Sequence, residues 1–354
     1  MATGGEMKAR KPPLLRAGDT IAVVAPSAPL LSSMWGKYER GKQTLRDLGF
    51  WIVEGRTVGP VHGWSSGTPQ NVANDINATF ADPEVKAIIA LAGGQSGISV
   101  LSHLNYDVIR AHPKPFLGFS DLTLFHLVFY GQCGMVGFHA DNLIDGPGDQ
   151  WLALDDARFV YLRGVYYHLL TKNRPIGKIV PSRLWECWRT GQASGPLIGG
   201  CLKRITALAA TPFFPPLATF DGAILFWEEI GREVWDLAID LFILKHMGIF
   251  DRIAGMLIGK LTWINRSDGE TSYLTVRQLV LEVTEDHDFP IMANMDFGHF
   301  MANVPMPIGI TATFAAETSM FTLIESAVQE GRDDDLRSHW FTRARFRAAH
   351  GSRR

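Results

Sequence analysis

Apolar and polar residues come in alternating blocks along this chain. Thr20 to Ala25 (TIAVVA) is a short β-branched run. Pro26 and Pro29 stop it, as a buried parallel strand ending in a loop requires. From Met34 to Leu48 the spacing becomes helical, with Tyr38, Leu45 and Leu48 able to share a face. Gly49 closes that segment, and Phe50 to Val53 starts a second strand. The alternation then repeats. The pattern predicts a helix over Asn71 to Phe80 and a strand over Val85 to Ala92. A GGQSG turn follows, then a helix over Ile98 to Leu104, a strand over Phe116 to Phe119 and a helix over Leu122 to Tyr130. Strands alternating with helices, punctuated by Gly and Pro, predict an α/β domain with a parallel sheet covered on both faces. It is placed at residues 14–165.

The pattern changes in residues 166–190, read as a linker. Lys172 to Arg183 (KNRPIGKIVPSR) is basic and interrupted by Pro and Gly. Residues 191–328 then form a smaller, strand-rich second domain. Its strand-like runs are Ala223 to Trp227 (AILFW), Gly255 to Gly259 (GMLIG) and Ile308 to Phe314 (IGITATF). Helices are expected over Trp235 to Gly248, with Gly248 as C-cap, and over Ser272 to Glu285. Residues 329–354 are a tail, charge-dense from Arg332, read as a solvated end helix or disorder rather than a partner-binding arm. No internal repeat of 20 to 50 residues is present.

Composition narrows the function classes. Apolar residues make up 46% of the 354 and charged residues 20%, enough for a large core. The formal net charge of -2 carries no basic concentration in the body of the chain, so no nucleic-acid partner is expected. Cys133, Cys187 and Cys201 are an odd number without CxxC spacing, which fits a reducing compartment rather than a disulfide framework or zinc site. HExxH and similar ligand spacings are missing, so no metal or other cofactor is expected. Met1 to Pro13 lacks the apolar region of a secretory signal, and no run of about 18 apolar residues would span a membrane. A soluble, cytoplasmic protein is expected.

One segment carries chemistry. In KPFLGFSDLTLFHLVFY a strand ends at Phe119, Ser120 sits at the turn, and a helix begins near Asp121. Gly118 permits the close approach that a sharp strand-to-helix turn demands. Such a turn exposes a hydroxyl beside the positive end of a helix, next to the Asp121 backbone N–H. Leu122 stands where a full G-x-S-x-G elbow would have its second Gly. On local sequence alone, Ser120 reads as a helix cap rather than a nucleophile.

GFSD resembles the nucleophile turn of the LD-carboxypeptidase family of serine peptidases, which also contains the microcin C immunity peptidases. Four further stretches resemble that family in the right order. They are PPLLRAGDTIAVVAPSAP; SSGTPQNVANDINATFADPEVKAIIALAGGQSG; GPLIGGCLKRITALAATPFFP; and AILFWEEI with MANMDFGHFMANVPMPIGITATF. The resemblance implies a flavodoxin-like first domain and a β-rich, swivelling β/β/α-like second one, with the site in the cleft between them. It implies Ser120 as nucleophile, Glu228 as acid and His299 as general base, cleaving an amide through an acyl-enzyme. Glu228 has Glu229 beside it, and only one of two adjacent strand residues can point at His299. Among eleven histidines, His139 in GFHADN is the other candidate, read as pocket lining.

The resemblance also assigns the Gly94 and Asp121 amides to an oxyanion hole, with Gly93, Gln95 and Ser96 lining the substrate. Muropeptide-cleaving members commonly carry Arg before the GG turn and Asn after the second GG, whereas this chain has Ala92 and Cys201. AGGQSG looks closer to the microcin-immunity branch, whose substrates join an aminoacyl or peptidyl unit to a nucleotide-like group. Trp185 and Trp188 (WECW) could stack on such a planar group, or share one helix face against the core. Muropeptide cleavage in cell-wall recycling is the alternative substrate class. A silent ligand-binding homologue and a nucleotide-binding module are the alternatives from other classes. The family resemblance implies a homodimer.

Overall fold

A computed structural model describes residues 9–153, 155–264, 274–300 and 303–331. The tail from 332, the start of the helix expected at Ser272 and the residues just after Phe300 lie outside them.

The strands are β1 (Thr20–Val24), β2 (Trp51–Glu54), β3 (Val85–Ala90), β4 (Phe116–Gly118), β5 (Phe138–His139), β6 (Gly177–Lys178), β7 (Glu186–Arg189), β8 (Gln192–Cys201), β9 (Ile224–Glu228), β10 (Gly255–Gly259), β11 (Ile291–Met295), β12 (Met306–Pro307), β13 (Thr311–Ala315) and β14 (Met320–Leu323). The helices are α1 (Trp35–Asp47), α2 (Pro69–Ala81), α3 (Tyr106–Ala111), α4 (Thr123–Cys133), α5 (Ala157–Thr171), α6 (Leu202–Leu208), α7 (Val234–His246) and α8 (Val276–Val283).

The first sheet runs β12-β5-β4-β3-β1-β2. All pairings among β1 to β5 are parallel. Order 2-1-3-4-5 is the flavodoxin-like one, whose ligands bind beyond the carboxyl ends of the strands, at the β1/β3 switch point. The expected α/β first domain is therefore present. Its strands are buried on both faces, as their unbroken apolar runs require: Val23, Val24, Ala87, Ile88 and Phe116 are all inaccessible.

The second sheet runs β6-β14-β13-β8-β9-β10-β11-β7. Its centre, β8 to β11, is parallel, and the outer pairings are antiparallel. The two sheets are not cleanly sequential. Strand β12 leaves the second sheet's segment and pairs with β5 of the first, Met306 opposite His139. Helix α5 runs through residue 165, and β6 and β7 lie within the stretch read as a linker.

Helix α4 lies where the two halves meet. Every residue from Thr123 to Tyr130 is buried, and it neighbours α3 on one side and β8 and α6 on the other. Gly134, in the left-handed conformation with φ 69°, ends it. At Gly200 (φ 145°) a side chain would strike Thr123, so the glycine is what lets β8 lie against α4.

Candidate active site

Each candidate side chain stands at or just beyond the carboxyl end of a parallel strand. In the first sheet, β1 leads to Ser27, β3 to Gly93 and Gly94, β4 to Ser120, and β5 ends at His139. In the second, β9 ends at Glu228, and the loop after β11 carries Asp296 to His299. The two carboxyl edges face each other. The ring of Phe119, next to Ser120, meets the ring of His299 edge-on at 4.9 Å between centroids. His139 Nε2 approaches Glu228 Oε1 at 3.7 Å.

Ser120 has φ 63°, one of four non-glycine residues with positive φ among those described. That conformation is uncommon for a residue with a Cβ and marks a strained turn. A single 3-10 turn, Ser120–Leu122, leads into α4. The positions preceding that turn and α4 are Phe119 and Leu122, and neither makes a side-chain cap bond, so Ser120 is not the helix cap. The Asp121 N–H lies in the first turn, where backbone donors lack intrahelical partners. Gly93 lies against the serine. A Cβ there would stand 2.9 Å from Ser120 Cβ and 3.1 Å from its Oγ.

His299 and Glu228 form the tightest contact between candidates. His299 Nδ1 lies 2.6 Å from Glu228 Oε2, and the His299 backbone N–H donates to the same oxygen at 3.2 Å. A carboxylate can only accept, so Nδ1 carries the proton and Nε2 keeps its lone pair. Glu228 is inaccessible to solvent. Burial pushes its pKa up, but the imidazoles of His299 and His139 outweigh burial and hold it down at about 2. Burial likewise pushes His299 down, and the Glu228 charge and hydrogen bond outweigh it, leaving the imidazole above its ordinary value.

Glu229 faces another way. It accepts from the backbone N–H of Lys203 at 2.9 Å and of Ile230 at 3.0 Å, and so caps α6. Of the adjacent pair, Glu228 meets the histidine. Gly298 (φ 105°) makes this possible, because any Cβ there would stand 2.7 Å from Glu228 Cβ.

Other expected residues fall into three groups. His139 is fully buried between Phe119 and Phe226 and faces Glu228, so it contributes to the acid's surroundings. Gln95 is exposed on the GG turn, whereas Ser96 is buried. Ser96 donates its N–H to Ser27 Oγ at 3.1 Å and its hydroxyl to Ser65 at 3.1 Å, so it holds the turn rather than facing a ligand. Trp185 corrects the stacking expectation. It is buried, and its indole N–H donates to Asp296 Oδ2 at 3.1 Å, bracing the base of the loop that carries His299. Trp188 lies on strand β7, not on a helix face, and its indole N–H donates to Glu186 at 2.8 Å.

Several neighbours of the site carried no expectation. Asn303 accepts from the Gly298 N–H at 2.9 Å and donates to Asp141 at 3.1 Å, tying the histidine loop to the first domain. Burial pushes the Asp141 carboxyl up to about 7 against the bonds from Trp151 and Asn303. Ser27 donates to Asp121 Oδ2 at 2.6 Å. A signal for Ser27 existed: it follows β1, at the edge where open α/β sheets bind ligands. Asn303 and Asp141 had none, because their meeting spans 162 residues. Among the described residues, no group of three or more His, Cys, Asp or Glu is arranged to hold a metal.

Two family models match the chain, the LD-carboxypeptidase N-terminal domain over residues 21–140 and the LD-carboxypeptidase C-terminal domain over residues 194–314. The chain belongs to the LD-carboxypeptidase family. It is a serine carboxypeptidase-type hydrolase of that family. A probable murein peptide carboxypeptidase of Bacillus subtilis is 29% identical over 324 residues, covering 91% of this chain and 96% of the relative. The microcin C7 self-immunity protein MccF of Escherichia coli is 25% identical over 330 residues, covering 88% and 94%. The solved structure of MccF in complex with glutamyl sulfamoyl guanosine superposes with a TM-score of 0.81 at 22% identity, covering 90% of this chain and 99% of that one. That likeness establishes a shared two-domain fold for this LD-carboxypeptidase relative.

Proposed function

We propose that this peptidase cleaves its amide bond with Ser120 as nucleophile, His299 as general base and Glu228 as the carboxylate that orients and charges the imidazole. The observation that carries this reading is the 2.6 Å bond between His299 Nδ1 and Glu228 Oε2, beside the Phe119–Ser120 turn. His299 Nε2 takes the hydroxyl proton as Ser120 Oγ attacks the carbonyl carbon. The Gly94 and Asp121 amides receive the oxyanion. The protonated imidazole then gives its proton to the departing amine, and water repeats the sequence on the acyl-enzyme. Its test is labelling by a fluorophosphonate. The parent should react and Ser120→Ala should not, whereas an unlabelled parent would refute the mechanism.

For substrate, we favour an amide joining an aminoacyl or peptidyl unit to a nucleotide-like group. Ala92 before the GG turn and Cys201 after the second GG support this over a muropeptide. The solved MccF complexes hold glutamyl sulfamoyl guanosine and aspartyl sulfamoyl adenosine. With Trp185 buried, Trp188 is the tryptophan of the pair left for stacking. Muropeptide cleavage is the second reading, favoured by the 29% identity to the probable murein peptide carboxypeptidase. Parallel hydrolysis of LD-tetrapeptides and aminoacyl sulfamoyl adenylates, with Ser120→Ala as control, decides between them. We further propose a cytoplasmic homodimer, to be checked by light scattering and by cell fractionation. No helix among the described residues is long and apolar enough to cross a membrane.

A further inference from the structure

Arg204 reaches from α6 of the second domain into the first. Its Nε lies 2.9 Å from Asp121 Oδ1, and its Nη2 donates to the Gly94 carbonyl at 3.0 Å. These are the two residues whose N–H groups are assigned to the oxyanion. Arg204 stands in the first turn of α6, where the helix dipole disfavours a cation. The helix therefore gains nothing locally from it.

The turns it grips need holding. Gly93 and Gly94 are consecutive glycines, and a peptide between residues without side chains flips easily. The Ala28 N–H donates to the Gly93 carbonyl at 3.0 Å and sets the plane that carries the Gly94 N–H. Arg204 holds the following peptide through the Gly94 carbonyl. On the other side, the buried Asp121 carboxylate accepts from Ser27 Oγ at 2.6 Å and from the Gly97 N–H at 2.8 Å. The guanidinium joins both sets from two separate nitrogens, Nη2 hydrogen-bonding the Gly94 carbonyl and Nε pairing in charge with the Asp121 carboxylate, a span that a single ammonium cannot reproduce.

We propose that Arg204 is a positioning residue that holds the Gly94 and Asp121 amides in mutual register for the oxyanion, an inference that rests on the proposed Ser120 mechanism. The acylating step is where it acts. A fluorophosphonate offers a compact probe: Ser120 Oγ bonds to phosphorus, fluoride leaves, the hydroxyl proton passes to His299, and the phosphoryl oxygen takes the oxyanion's place.

The experiment measures kinact and KI for this probe with the parent, Arg204→Met and Arg204→Lys, at a temperature well below each variant's melting point. Arg204→Met should lose about 10- to 100-fold in kinact, less than or equal to the loss of a whole oxyanion donor, with KI within about threefold. Arg204→Lys should lose at least about threefold, because one ammonium cannot keep both arms. A purely structural ion pair would lower the melting point and leave kinact alone. Parental kinact in folded Arg204→Met overturns the proposal, as does parental kinact in Arg204→Lys should the methionine variant fail to fold. An unlabelled parent, or a labelled Ser120→Ala, is a different pattern, defeating the mechanism itself and this inference with it.

Discussion

His299 sits between two opposed effects. Burial favours its neutral form, and the Glu228 carboxylate favours the charged one and wins. The base form needed for attack therefore becomes the major form only at a pH above the ordinary histidine value of about 6.5. The rate, kcat/KM against pH, should rise with pH and have its midpoint above 6.5. Glu228→Gln removes the partner that raises His299, so the midpoint should move down while kcat falls by about 10³ to 10⁴. An unmoved midpoint would mean that Glu228 is not the residue setting it. Glu229→Gln is the matching control. It weakens the cap on α6 and should lower the melting temperature, with kcat within about threefold. Glu228 was legible through the resemblance of AILFWEEI to the family's segment, with Glu229 beside it as the other candidate. Which one meets the imidazole was decided by the turn after β9 and by Gly298.

At the scale of elements, the loop from Asp296 to Asn303 is the part that the sequence pattern describes least. It has no periodicity, yet its described residues are held by bonds from several other elements. Trp185 and Ser182 bind Asp296, Thr262 Oγ1 donates to the His299 carbonyl at 3.0 Å, and Asn303 binds Gly298 and Asp141. Asn303→Ala leaves the Gly298 N–H without that partner, at a cost of about 1–3 kcal/mol. Its kcat should fall at least tenfold, measured alongside urea unfolding, and an unchanged kcat would show that the loop holds its place by other means. Gly93→Ala is a sharper element-level test. The new methyl would stand 2.9 Å from Ser120 Cβ and 3.1 Å from its Oγ, so the serine turn must shift, and acylation should drop by about 10²-fold with a lowered melting temperature. The strands β1 to β4 were readable within one or two residues, because their apolar runs end at Gly or Pro. The helix expected over Ile98 to Leu104 is two 3-10 turns instead, Gly97–Ser99 and Leu101–His103. Helix α5 has no clear signature in the sequence, because exposed Val160 and Tyr167 blur the stripe of Phe159, Leu162, Tyr166 and Leu169.

At the scale of the molecule, the two halves share a core. Helix α4 is buried around its whole circumference from Thr123 to Tyr130 and is covered in part by β8 and α6. Strand β12 crosses back to complete the first sheet. A fragment ending at residue 190 would expose both surfaces, and should be insoluble or bind hydrophobic dyes, whereas the full chain should melt in one transition. Independent folding of that fragment would contradict a shared core. The acid limb of stability follows from Glu228. Its folded pKa is depressed from 4.5 to about 2, so its contribution is complete above about 4.5 and is lost as pH falls through about 2. Glu228→Gln should flatten this part of the stability curve, read by denaturant melts across that range. His299 has the opposite sign. Its raised folded pKa gives stability that is present below about 6.5 and lost as pH rises through the folded value.

Local sequence alone determined the parallel first sheet, the turn that presents Ser120 and the family to which the chain belongs. Those properties reside in runs of a few consecutive residues, where periodicity, glycine and proline act directly on the backbone. The tertiary structure decided the rest: which glutamate faces the histidine, that Trp185 braces a loop, and that Arg204 and Asn303 link the two halves. Each of those depends on a distance between residues far apart in the chain, which the packing of two sheets edge to edge establishes and no local pattern encodes.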